Sequence, residues 1–129
     1  MSRDNRAVAA KLLEGVGKKR VKFAYPGDEG IKNGILKDRA FVRSPGSTGV
    51  PYWDVVDLIE FPGEAQPRWI RIGYYREKPR GRLRWGSQTT ITEPVEIWRR
   101  LLVHAAKRKR WFRRLLEGVV KKVAREAEQ

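Results

Sequence analysis

The apolar positions along this chain change their period twice, and those changes divide it into three parts. Near the N-terminus Ala7, Val8, Leu12, Leu13 and Val16 recur at steps of three and four, which predicts a short helix over 4–16. Ser2 or Asp4 is placed to cap it, and Gly15 and Gly17 stand at its end. From 20 to 92 the composition turns to Val, Ile, Tyr, Trp and Thr punctuated by Gly and Pro, which predicts strands at 20–25, 35–43, 52–61, 68–77 and 82–92. The links carry Pro26-Gly27, Ser44-Pro45-Gly46, Pro62-Gly63 and Pro79-Arg80-Gly81, short enough to favour an antiparallel meander. A helical period returns over 94–128, with Pro94 suited to a first turn. This last segment reads either as one long helix or as two joined near 107–110.

The expected fold is therefore α+β. A five-stranded antiparallel meander, as a twisted sheet or a partly open small barrel, is packed by a short N-terminal helix and a long or broken C-terminal helical segment. With 129 residues this is one domain, 1–129, large enough to bury a core. The absence of cysteine removes disulfides, thiolate nucleophiles and Cys-ligated zinc. No apolar run approaches the roughly 20 residues of a membrane span. The first ten residues lack the apolar core of an export signal, so a cytoplasmic, intracellular protein is expected.

Charge narrows the function. Lys and Arg number 29 against 15 Asp and Glu, formally +14, and a polyanion is the commonest partner of such a field. The final hairpin concentrates the signal. With Lys78 to Gly81 as its loop and Glu77 facing Arg82, one face holds Ile70, Ile72, Tyr74, Leu83 and Trp85 as core. The other holds Trp69, Arg71, Gly73 and Tyr75 beside Arg82, Arg84, Gly86 and Gln88. Gly73 then lies opposite Gly86 in a flat patch where bases can stack on Tyr75 or Trp69 and phosphates can meet guanidiniums. The plainer alternative is a solvated face, or one that a terminal helix covers.

The C-terminal segment supplies a second basic surface. Phe112, Leu115, Leu116, Val119, Val120, Val123 and Ala127 fall on one side at helical spacing, opposite Arg110, Arg113, Arg114, Lys121 and Arg125, with Glu117 among them. Lys107, Arg108 and Lys109 extend the run, so that 107–114 holds six cations and no acid. A solvated face ordinarily mixes signs, so phosphate contact is the favoured reading. An anionic membrane is disfavoured, because the apolar side is expected to close the core.

Catalysis finds little purchase. Pairing Phe61 with Arg68 puts Trp53, Val55, Asp57, Ile59 and Phe61 on the core face and Asp54 and Glu60 on the other. Asp54 and Asp57 then point oppositely, and Asp54 and Glu60 stand about 20 Å apart, too far for one metal ion. Asp57, among apolar neighbours, calls for an Arg or backbone partner. His104 has no neighbouring relay, the Gly/Ser/Thr loop 44–49 lacks a P-loop ending, and Lys18, Lys19, Arg20 and Lys22 read as a solvated turn. The sequence thus predicts non-enzymatic binding of DNA or RNA, mainly through phosphates, with no metal and no cofactor. A basic adaptor docking on an acidic protein in a nucleoprotein complex is the alternative, and a metal-dependent nuclease stands behind it.

Overall fold

A computed structural model describes residues 3–24, 30–45, 49–86 and 91–128. In chain order it contains α1 (Arg3–Leu13), β1 (Arg20–Ala24), β2 (Ile31–Ser44), β3 (Tyr52–Glu60), β4 (Arg68–Lys78), a 3-10 turn (Pro79–Gly81), β5 (Arg82–Trp85), α2 (Val95–Arg108) and α3 (Arg110–Ala127). The strands form one curled antiparallel sheet in the order β1-β2-β3-β4-β5, the predicted meander. No described helix is long and apolar enough to cross a membrane.

Helices pack on both faces of the sheet. On one face Val8 and Leu12, one turn apart on α1, pack onto Trp53 and Val55. On the other, Leu101 and Ala105 of α2 and Phe112 of α3 pack onto Ala40, Val42 and Val56. A third cluster of Val21, Leu36, Ile59 and Phe61 closes the β1 end. β3 runs between the two helical layers, so Trp53, Asp54, Val55, Val56 and Asp57 are all buried in succession. A strand buried on both sides loses its alternation, and with it the register signal.

That loss explains a correction. β4 pairs with β3 one residue away from the predicted register, Glu60 opposite Arg68 and Trp53 opposite Tyr75. Phe61 donates its N–H to the Pro67 carbonyl at 2.7 Å, closing the link one rung earlier than expected. The β4–β5 turn is shorter than predicted for a related reason. Arg80 and Gly81 both take positive φ, 67° and 70°, and complete a tight three-residue loop that sets Lys78 opposite Arg82. Glu77 therefore faces Leu83, not Arg82. β5 ends at Trp85 and 91–94 carries no strand, against a predicted extension to 92; residues 87–90 lie outside the described residues.

The C-terminal segment is two helices. Lys109 adopts an extended conformation at φ −123°, ψ 111° and separates α2 from α3. Asp38, at a bulge in β2, holds the corner by accepting from Lys109 Nζ at 2.7 Å, Trp111 Nε1 at 3.0 Å and the Arg39 backbone N–H at 2.9 Å. Burial raises the Asp38 pKa, but these donors more than offset it and hold the group below its ordinary value. Only the start of α3 joins the core. Leu115, Val119, Val120 and Val123 are 44–67 % exposed, so the expectation that the whole apolar face closes the core does not hold.

At the centre, Asp57 receives Arg39 Nε at 2.7 Å and Arg39 Nη2 at 3.0 Å, and Arg71 Nη2 at 2.9 Å. Arg39 Nη1 also donates to the Leu12 carbonyl at 2.9 Å, and Nη2 to the Tyr75 hydroxyl at 3.1 Å. The odd carboxylate of the sequence thus has the arginine partner its surroundings demanded. Burial works against the Arg39 charge, yet Asp57 outweighs it and holds the guanidinium pKa above its usual value. Replacing Arg39 by Met leaves the buried Asp57 charge with Arg71 alone and removes the donor to the Leu12 carbonyl, and should cost about 3–5 kcal/mol of unfolding free energy. Urea denaturation measures this, and a loss below about 1 kcal/mol would show that the pair is not the structural node its contacts indicate.

Candidate nucleic-acid interface

The one-residue register change redistributes the predicted hairpin surface. Trp69, Arg71, Gly73 and Tyr75 share the α1 face with Trp53, Val55, Asp57 and Ile59. There they are engaged in packing. Trp69 donates Nε1–H to the Gln66 carbonyl at 2.6 Å and meets Phe61 edge-on at 5.5 Å. Arg71 binds Asp57 and lies 4.5 Å from the Trp85 ring centroid. Tyr75 bonds Arg39 and lies 4.9 Å from Trp85. These three do not form the open stacking platform expected of them. The glycines make room for rings, since a Cβ on Gly73 would collide with the Trp85 indole and one on Gly86 with the Tyr74 ring.

Arg82 and Arg84 stand on the opposite face, and they bring together a different set. Arg84 pairs across the ladder with Arg76, and Arg82 with Lys78. Tyr52 lies opposite Arg76 on β3, with its ring 5.1 Å from Tyr74. The result is a basic-aromatic surface of Tyr52, Tyr74, Arg76, Lys78, Arg82 and Arg84. None of the four cations forms an ion pair among the described residues. Directly opposed like charges destabilise a strand pair by about 0.2–1 kcal/mol. Two such pairs in succession are a cost that an anion would relieve. The predicted register put Lys78 in the loop and gave Arg76 no part in the surface, whereas both stand in the ladder; only Gln88 of the predicted hairpin contacts lies outside the described residues.

The helical surface keeps most of its predicted members. Lys107, Arg108, Arg110, Arg113, Arg114, Lys121 and Arg125 are exposed and make no ion pair with a described carboxylate. At helical spacing Arg110, Arg114, Lys121 and Arg125 fall in one stripe about 22 Å long, interrupted by the single carboxylate of Glu117. Lys109 is the exception, because its ammonium is bound to Asp38 and serves the corner between the helices. His104 sits on α2 between Arg100 and Arg108, and burial, then Arg108, then Arg100, push its pKa below the usual imidazole value.

Two buried carboxyls lie off this surface. Asp54 faces the α2 side and Asp57 the α1 side, so they do not combine, and among the described residues no three metal-capable side chains gather. Neither Asp54 oxygen has a donor, nor does Glu93 Oε2 beside α2. Burial first, and then the Glu93 carboxyl, push Asp54 up to about 8, while Arg100 pulls it down. A proton held on Asp54 and shared with Glu93 would supply the donor that both lack.

No protein-family model matches this chain, and neither a curated protein nor a solved structure matches it.

The raised Asp54 pKa fixes the sign of a pH effect. The folded state holds this proton more tightly than the unfolded chain, whose value is 3.8. The stability it contributes is complete below that value and is lost as pH rises through about 8. Asp54→Asn imitates the protonated carboxyl, so its urea midpoint should overtake that of the parent protein progressively between pH of about 5 and about 8. Parallel pH profiles for the two proteins would refute the shared proton.

Proposed function

We propose that this protein is a non-enzymatic, cytoplasmic nucleic-acid-binding domain that holds DNA or RNA mainly by its phosphates. The observation that carries the reading is the pair of like-charge rungs, Arg76 with Arg84 and Lys78 with Arg82, on an exposed strand face. A free protein gains nothing from that arrangement, whereas a polyanion laid across the hairpin bridges each repelling pair. Tyr52 and Tyr74 beside the cations offer faces on which unpaired bases can stack. The unpaired stripe of Arg110, Arg114, Lys121 and Arg125 on α3 extends the electrostatic footprint, with Arg113 and the end of α2 at its flank. No described helix displays a row of amide and carboxylate side chains suited to reading base edges, which favours low sequence specificity.

The like-charge rungs give a test with two signs. Arg76→Gln or Arg84→Gln should raise stability by about 0.2–1 kcal/mol, because repulsion is removed. The same variants should weaken binding to a labelled oligonucleotide. For each phosphate no longer neutralised, the slope of log affinity against log salt should become shallower by about 0.7 for single strands or about 0.9 for duplex. Fluorescence anisotropy across a salt series measures the second effect and thermal unfolding the first. Unchanged affinity in the Arg76 and Arg84 variants would sink the hairpin surface. Tyr52→Ala should weaken single-strand binding by about 1–3 kcal/mol if a base stacks there.

A further inference from the structure

β2 is longer than the strand beside it. β1 pairs only with Ile31 to Ile35, so from 37 to 43 the strand has, among the described residues, a strand partner on one side alone, β3. With α1 over one face and α2 over the other, this free edge becomes the floor of a groove of about 590 Å³. Asn5 and Leu13 line it from α1, and Arg100, His104 and Arg108 from α2.

The ladder decides which backbone groups face the groove. The bonds from Phe61 N–H to Pro67 and from Glu77 N–H to Pro51 turn the odd residues of β3 toward β4 and the even ones toward β2. Val42 and Ala40 then bond to β3, and Arg39, Phe41 and Arg43 turn their N–H and C=O groups outward. Two of these positions are blunted from within, as sheet edges commonly are. Asp38 accepts the Arg39 N–H, and Arg100 Nη2 donates to the Arg43 carbonyl. Phe41 lies between them, and among the described residues neither of its groups has a partner, one open rung of ladder.

The described lining contains no carboxylate. Arg108 makes no described ion pair, and Arg43 Nε and Trp53 Nε1, both on lining residues, are buried donors without acceptors. We propose that this groove binds an extended acidic peptide segment of another protein, which adds a strand to the edge of β2. A peptide backbone answers Phe41 with both an acceptor and a donor, whereas a phosphodiester chain offers only acceptors. A second copy of this chain would set Arg43, Arg100 and Arg108 against their own likeness. Acidic side chains on the added strand instead meet Arg100 and Arg108. This site is separate from the hairpin surface, shares Arg108 with the basic helical surface, and does not need the nucleic-acid reading to hold.

A fluorescein-labelled octapeptide of alternating Val and Glu, capped at both ends, tests the proposal by anisotropy against the intact protein. Saturable binding is expected, with slowed hydrogen exchange at the Phe41 amide. N-methylation of the central peptide residues should weaken binding at least about tenfold without touching the protein. Arg108→Glu should weaken it comparably, whereas Arg76→Gln should leave it unchanged even where it lowers oligonucleotide affinity. Absence of binding at millimolar peptide, or equal binding of the N-methylated peptide, would overturn strand addition. Displacement of the peptide by a short oligonucleotide at comparable strength, or a concentration-dependent dimer that the peptide dissolves, would assign the groove to another occupant and overturn it as well.

Discussion

The Arg39–Asp57 pair is the point through which the layers of this protein are joined. One guanidinium on β2 reaches a carboxylate on β3, the carbonyl of Leu12 at the end of α1, and the hydroxyl of Tyr75 on β4. Arg71 completes the set from β4. Two charges withdrawn from water are tolerable only where the remaining polar atoms are satisfied too, and here the pair on β2 and β3 is satisfied by neighbours from α1 and β4. The pair therefore ties the position of α1 to the register of β2, β3 and β4. Slipping β4 by one residue would carry Arg71 away from Asp57 and Tyr75 away from Arg39.

From that register follows the distribution of charge. Tyr75 and Trp69 turn inward with Arg71, and the hairpin's outward cations become Arg76, Lys78, Arg82 and Arg84. The far half of β2 keeps β3 on one side and has no described strand on the other. The corner between α2 and α3, held by Asp38, consumes Lys109 but frees the basic stripe of α3. Each exposed feature is thus a consequence of what the interior had to satisfy. The apolar residues of α3 beyond Leu116 are the exception, since no described element covers Val119, Val120 or Val123.

Local rules served the sequence reading well wherever neighbours along the chain decide the outcome. The helical steps of Val8 and Leu12, the Pro62-Gly63 and Pro79-Arg80-Gly81 punctuation and the acid-poor run from Lys107 to Arg114 are all local patterns, and all correspond to features present in the fold. Asp57 announced its need for a partner through its apolar neighbours. The identity of that partner was not legible, because Arg39 lies eighteen residues away and no local pattern marks it among so many arginines. Asp38 was equally silent, a single acid whose ligands stand 71 and 73 positions downstream.

By itself the sequence determined the class of fold, the order of strands, the excess of positive charge and its concentration near the last hairpin and the C-terminal helices. These depend on period, turn chemistry and composition, which act over a few residues. Only the tertiary structure decided which side of the hairpin faces out. A strand covered on one face declares its register by alternation; β3, covered on both, does not. The choice passed instead to a proline carbonyl at 67, a left-handed Arg80 and a buried ion pair, and with it went the membership of the basic surface.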